Sequence, residues 1–261
     1  MSTTDTTSVQ TYSDRPNIPI KGKEWSDVEY SFNKKLSKTA PHIYMGTATP
    51  RFTKPHGDYH YARIKAVSDY CEEHYDPLTT VWLSLQADEK IRGEWVDPLM
   101  HDDGFRSNAV KQSLFRVRKK LDVDEWAGCW LMSPRRTGYS HRHYALWINK
   151  EVEVSDFHSV IDSHVRNHPT ASSEKNQYRD AIQIRQGDEV KGLPAEIAHN
   201  LPEIGASTDV RSVDEARRWC SMYWFDDRIR FQELGSFREY AEDSRPEREG
   251  VFKHGRGWVN E

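Results

Sequence analysis

The chain has 261 residues, 41 Asp and Glu against 37 Lys and Arg, and a formal net charge of −4. That length suits one sizeable core, and no stretch approaches the roughly 20 apolar residues of a bilayer span, which excludes a membrane-embedded protein. Three scattered cysteines with no Cys-x-x-Cys pair exclude a zinc ribbon and a disulfide framework.

Proteins that bind nucleic acid more often lean basic. The mild acidity therefore argues against that class unless cations cluster locally or the protein works in high salt. The amino terminus lacks the basic and apolar regions of a signal peptide, so a cytoplasmic location with no membrane partner is expected.

Residues 1–16 are polar and rich in Ser and Thr, which predicts a disordered tail. Trp25, Val28, Phe32 and Leu36 recur at helical spacing and predict a short amphipathic helix over 24–38. Three prolines and two glycines mark 40–58 as loop. A helix follows over 60–74, with Tyr61, Ile64, Val67, Ser68 and Cys71 on one stripe, and Asp76-Pro77 ends it. Residues 79–86 read as a strand: Val81, Leu83 and Leu85 share one face, while Trp82, Ser84 and Gln86 share the other.

Residues 87–104 are charged and irregular. The next helix is expected over 105–121, buried through Val110, Leu114, Val117 and Leu121. Its other face is basic, with Arg106, Lys111, Arg116, Arg118, Lys119 and Lys120, and reads either as solvated surface or as a phosphate contact. A strand over 126–132, a turn carrying Arg135 and Arg136, and a strand from Tyr139 to Ile148 form an antiparallel hairpin. Ser155 is placed to cap a helix bearing Phe157, Val160, Ile161, His164 and Val165. His164 and His168 are four apart, but no glutamate motif accompanies them, and no metal role is assigned. Residues 169–178 read as polar loop, 181–185 as a short strand, and 194–200 as a helical turn. Ser212 and Glu215 form a capping-box signature ahead of a helix that carries Arg217, Arg218, Trp219 and Tyr223. A final strand near 229–234 precedes a partly ordered tail.

The chemistry centres on His141-Arg142-His143. On a strand, residues two apart point to one face, so the two imidazoles project together while Arg142 points away with Tyr144, Leu146 and Ile148. Two imidazoles on a rigid strand can hold a divalent cation, Mg²⁺ or Mn²⁺. With a tyrosine on a facing helix, such a site can open a phosphodiester. The phenolate takes the 5′-phosphate, the 3′-hydroxyl leaves, and reversal rejoins the strands.

The stretch 61–184 resembles the rolling-circle replication initiators of haloarchaeal plasmids and viruses, members of the HUH endonuclease superfamily. The resemblance rests on an ordered run of motifs. These are Tyr61-Ala-Arg-Ile-Lys-Ala66, Thr79-Thr-Val-Trp-Leu-Ser-Leu-Gln-Ala87, Gly138-Tyr-Ser-His-Arg-His-Tyr-Ala-Leu-Trp-Ile148 and Phe157-His-Ser-Val-Ile-Asp-Ser-His-Val165. Trp219-Cys220 falls in the region of the third family motif.

Mixed strands and helices, hairpins and no βαβ regularity suggest an α+β domain with an antiparallel sheet, and the resemblance implies that this sheet is central, RRM- or ferredoxin-like and flanked by helices. It implies an N-terminal helical extension over 17–75, a nuclease domain over 76–235 and a C-terminal tail over 236–261. The partners implied are single-stranded origin DNA and a host helicase and polymerase; the chain has no Gly-x-x-x-x-Gly-Lys loop of its own.

Three positions depart from the pattern. The middle residue of the histidine pair is Arg142 instead of an apolar one. Ser133 stands where an acid often completes the metal site, which leaves the third ligand to Gln86, Asp88 or water. Glu215 stands where the tyrosine is expected, and Tyr223, two turns on along the same face, becomes the candidate nucleophile, ahead of Tyr178 and Tyr144. Arg135, Arg136, Lys119, Lys120, Arg217 and Arg218 are the candidate DNA contacts. The competing expectations are an origin-binding protein that has lost the nicking step and an unrelated metal-dependent hydrolase.

Overall fold

The computed structural model describes residues 26–28, 30–31, 54–135, 139–200 and 231–243; of residues 54–58, 134, 188, 199, 243, 251–253 and 257–259 it describes the backbone alone. Its centre is a five-stranded sheet of order β6-β1-β5-β4-β7, in which every neighbouring pair is antiparallel. The strands are β1 (Thr79–Leu85), β4 (Trp126–Pro134), β5 (Ser140–Ile148), β6 (Ile182–Gln186) and β7 (Phe231–Gly235). Two strands of two residues, β2 (Lys90–Ile91) and β3 (Glu94–Trp95), form a separate hairpin. Near the carboxyl terminus β8 (Val251–Lys253) pairs with β9 (Gly257–Val259).

Helices cover both faces of the sheet, so its central strands are apolar on both sides. On one face Val81, Leu83, Leu85, Tyr144, Leu146 and Ile148 pack against α2 (Pro98–Phe105), α3 (Asn108–Leu121) and α4 (His158–Asn167). The short helix α5 (Tyr178–Ala181) joins that layer through Ala181. On the other face Trp82, Ala127, Cys129, Leu131, Ala145 and Trp147 pack against α1 (Lys54–His74), α6 (Leu193–Asn200) and α7 (Phe237–Asp243). The result is an α+β fold with a central antiparallel sheet, as the alternation of short strands and helices predicts. Val28, in the described part of the expected 24–38 helix, is buried in the first of these cores.

Several boundaries differ from expectation, each for a local reason. The first long helix starts at Lys54, within the stretch expected as loop, because Pro55 falls in its first turn, where a missing N–H costs nothing. The region 87–104 is not irregular. Asp97 caps α2 by accepting from the N–H groups of Leu99 (2.8 Å) and Met100 (3.1 Å), and Pro98 follows at the first helical position. The expected 105–121 helix is therefore two helices: Phe105 ends α2, and Ser107 caps α3 by accepting from Ala109. Ser155 is not a cap. Glu153 and Asp156 form the capping box of a 3₁₀ turn over Val154–Phe157 that leads into α4. The tail after 235 begins with α7, whose Phe237 and Tyr240 are buried in the core.

Candidate active site

The pairing register builds the site. His143 on β5 stands opposite Ser84 on β1 and Leu131 on β4, and His141 stands opposite Ser133. Continued by one residue, the β1–β5 register sets Gln86 beside His141. The inward and outward alternation holds as expected: Arg142 faces the α2–α3–α4 layer, and both histidines face the α1–α6–α7 layer.

The imidazoles meet edge to face with ring centroids 4.5 Å apart. His143 is 5% exposed, stacks on Trp82 at 4.5 Å, and its Nδ1 lies 3.0 Å from the Ser84 hydroxyl. That contact fixes the ring and leaves Nε2 turned into the site. Nε2 of His143 and Nδ1 of His141 are buried and have no hydrogen-bond partner among the described residues. A buried polar nitrogen without a partner is costly, and such atoms are rare unless something is meant to bind them. Burial, reinforced by the Arg135 guanidinium, pushes the His141 pKa down to about 4. Burial and then His141 push that of His143 well below the ordinary value. Both rings are neutral near pH 7, with a lone pair free for a cation.

The third ligand is less ready. The Gln86 side-chain oxygen accepts from Arg135 Nη2 at 3.2 Å. The Asp88 carboxylate is paired with Lys175. Ser133 donates its hydroxyl to the Asn200 carbonyl at 2.8 Å. No group of three or more His, Cys, Asp or Glu side chains among the described residues is arranged to hold a metal. Two nitrogens and an amide oxygen fit a cation only as a partial shell, to be completed by water or by a phosphate. Mg²⁺ prefers an all-oxygen shell, so this donor set suits Mn²⁺ better.

A second layer fixes the strand end under the pair. Asn176 is 3% exposed and closes both ladder groups of Gln86: its Oδ1 accepts from Gln86 N–H at 2.9 Å, and its Nδ2 donates to Gln86 C=O at 2.9 Å. His164 Nε2 lies 2.8 Å from the same carbonyl. Asn176 thus does the work of a neighbouring strand where β6 has ended. Replacing Asn176 with Ala is expected to cost about 2–3 kcal/mol, because it strands buried backbone groups. Chemical denaturation would measure the loss. No spacing rule foretold this contact, since the residues are 90 apart in sequence; a lone Asn in a polar loop carries no such signal.

The other expected site residues are distributed as follows. Arg135 is at the site, bonded to Gln86 and paired with Glu89 at 3.6 Å. Lys119 and Lys120 are not: they end α3, on the opposite face of the sheet and at the opposite end of β5. Tyr178 is also on that far face. Its hydroxyl donates to Asp162 of α4 at 2.6 Å, its ring stacks on His158 at 3.7 Å, and the Asp162 bond raises its pKa. Tyr144 points into the core beside Arg142, with its pKa raised by burial. Neither tyrosine can serve the histidine pair. The two described thiols are equally unsuited to attack: burial pushes Cys71 up to about 12 and raises Cys129 further. Tyr223, Arg136, Arg217 and Arg218 lie outside the described residues.

Residues 38–192 match the family described as "Putative rep protein (DUF1424)". That segment is more than half of the chain. The protein belongs to this Rep family. His141, His143, Ser84, Gln86, Arg135 and Asn176 fall within the matched segment, and Tyr223 falls beyond it. A protein of Halobacterium salinarum described as "Uncharacterized 36 kDa protein" is 25% identical to this Rep-family chain over 208 residues. The alignment covers 72% of this chain and 64% of the relative, so it spans less than two thirds of that protein's length. No solved structure matches the chain. No helix among its described residues is long and apolar enough to cross a membrane.

Proposed function

We propose that this Rep-family protein starts replication of a replicon by the rolling-circle route, as an HUH-type enzyme that nicks and rejoins single-stranded DNA at an origin. The observation that carries the reading is the pair of buried, neutral, unpartnered ring nitrogens on adjacent same-face positions of β5. A bound Mn²⁺ or Mg²⁺ would polarise the scissile phosphate there. His141 and His143 are its ligands, with the Gln86 amide oxygen as a third once Arg135 turns to a phosphate. Arg135 then serves as a DNA contact at the hairpin tip, together with Arg136.

Tyr223 is the proposed nucleophile, with Arg217 and Arg218 as neighbouring phosphate contacts. Chain geometry supports the choice. The described chain leaves at Asn200, whose carbonyl receives the Ser133 hydroxyl beside His141. It returns at Phe231, which pairs with Leu131 opposite His143. The span that holds Tyr223 therefore begins and ends at the histidine end of the sheet. Tyr223 is eight residues from Phe231, a reach of up to about 29 Å. Phe231 and His143 are two strands apart, roughly 10 Å.

Incubating the full chain and Mn²⁺ with labelled single-stranded oligonucleotides that tile the DNA flanking its coding sequence tests the reading. A covalent protein–DNA band that survives denaturing electrophoresis is expected. Tight binding without that band would leave the second reading, an origin-binding protein that has lost the chemistry. Ser133 favours that alternative: it occupies the place beside His141 where a carboxylate would complete the site, and its hydroxyl is already engaged. Host helicase and polymerase are the partners that either version requires.

A further inference from the structure

The sequence is acidic overall, yet α3 contains no carboxylate in its 14 residues. Its buried stripe is Val110, Leu114 and Val117. Its outer face carries Lys111, Arg116 and Lys119, all exposed, and none of these three meets a carboxylate among the described residues. Lys120, also exposed, is held by Asp156 at 3.3 Å. Between the cations Phe115 is 57% exposed, with the Lys119 ammonium 5.8 Å from its ring centre. Five residues separate Lys111 from Arg116 and three separate Arg116 from Lys119, so the three cations span about 12 Å along the axis.

Cations spread over about two turns of a straight rod, with no acid partner among the described residues, complement a polyanion. The face points away from the histidine pair, since α3 covers the opposite side of the sheet and its basic end lies near Ile148 and Phe157.

We infer that the outer face of α3 is a second DNA-binding surface, which grips the phosphate backbone of duplex DNA without reading its bases, while the histidine face takes the single strand. This rests on the reading of the chain as a replication initiator, and it adds a division of labour: Lys111, Arg116 and Lys119 hold the duplex, and Phe115 packs against the sugar edge. Such binding is driven by counterion release, so its signature is a salt slope. Each duplex phosphate neutralised adds about 0.9 to the slope of log K against log salt.

The test uses the full chain and a fluorescein-labelled duplex of arbitrary sequence, titrated over the salt range in which the chain stays folded. The variant Lys111→Gln/Arg116→Gln/Lys119→Gln is compared with wild type and with Lys65→Gln, an exposed lysine of α1 paired with Asp69. All four side chains are exposed, and unchanged thermal melts would confirm intact folding. The triple variant is expected to bind duplex at least about tenfold more weakly, with a slope shallower by about 2 to 3. Adduct formation on single strands should be unaltered, and Lys65→Gln should match wild type. An unchanged slope in the triple variant overturns the inference, as does a loss per charge in Lys65→Gln equal to that in the stripe. Wild type that binds duplex with this slope yet forms no adduct sinks the nicking reading and leaves the α3 surface standing. Wild type that binds no duplex sinks the surface, whatever it does to single strands.

Discussion

Acidification from pH 7 to pH 5 is expected to destabilise the protein by about 6 kcal/mol. Three buried histidines, His101, His164 and His168, form an aromatic cluster with Phe105 on the face opposite the proposed site, with ring centroids 4.4–5.3 Å apart. His101 is fully buried, and His164 and His168 are 1% and 3% exposed. Gly104 admits the His168 ring against α2; a Cβ there would stand 2.5 Å from ring atoms. Each ring is pushed down to about 4, by burial first. Neighbouring cations add to this: Arg135 against His101, and Arg142 against His164, with each other's rings opposing a further proton. Asp102 works the other way on His101 and His168, but it is already bonded to Arg106 at 2.6 Å.

The sign follows from linkage. In the unfolded chain these histidines titrate near 6.5, and in the folded chain near 4. Between those values the unfolded chain takes up protons that the folded chain refuses. Stability is therefore whole above about pH 6.5 and falls steadily down to about pH 4. Each histidine removes roughly 1.4 kcal/mol per pH unit, so three remove about 4 kcal/mol per unit. The loss reaches about 6 kcal/mol at pH 5, which exhausts the stability only at the low end of the usual range of about 5–15 kcal/mol. Denaturant titrations monitored by tryptophan fluorescence at pH 7.5, 6.5, 5.5 and 5.0 measure it. Stability that stays flat to pH 5 would show that these rings are not shielded as the packing implies. Replacing His101 with Phe should flatten the profile by about one histidine's share.

The second large effect concerns His143. Its replacement by Ala removes one of the proposed metal ligands and is expected to slow adduct formation by at least about a hundredfold. The loss should split from any folding defect. His143 stacks on Trp82, so truncation also costs core stability of about 1–3 kcal/mol, and His143→Gln is the matched variant that keeps more of the volume. His141 is less buried, and His141→Ala should lose the same chemistry at little cost in stability. Two observations on each variant separate the causes: a thermal melt, and Mn²⁺ affinity read by the metal's paramagnetic signal. A variant that melts like wild type and still forms adduct at the wild-type rate would remove the histidine pair from the mechanism.

Much of this was legible from residue patterns because it depends on period alone. The alternation in 79–86 and 139–148 gives the facing of both strands, and with it the opposite projections of Arg142 and the two histidines. The basic face of α3 follows from a 3.6-residue stripe. What escaped depends on local capping or on contacts between distant residues. Asp97-Pro98 carries a helix start that the charged run around it hides. Asn176 gains its role only when the fold brings it to Gln86, and His164 and His168 turn out to be core residues because α2 and α4 close over them. The positions of Lys119 and Lys120 are instructive in another way. Sequence could mark them as cationic, but only the sheet shows that they face away from the histidine pair, which is why Lys119 falls to the proposed second surface and not to the first.

The central claim is that His141 and His143 serve a metal-assisted attack by a tyrosine on single-stranded DNA. Mass spectrometry of tryptic peptides, after incubation of the full chain with the oligonucleotides and Mn²⁺, tests it most directly. The account predicts one peptide carrying a covalent nucleotide, the one containing Tyr223, present with Mn²⁺ and absent in His143→Ala and in chelator. No modified peptide from a wild-type protein that demonstrably binds both Mn²⁺ and the DNA would contradict it.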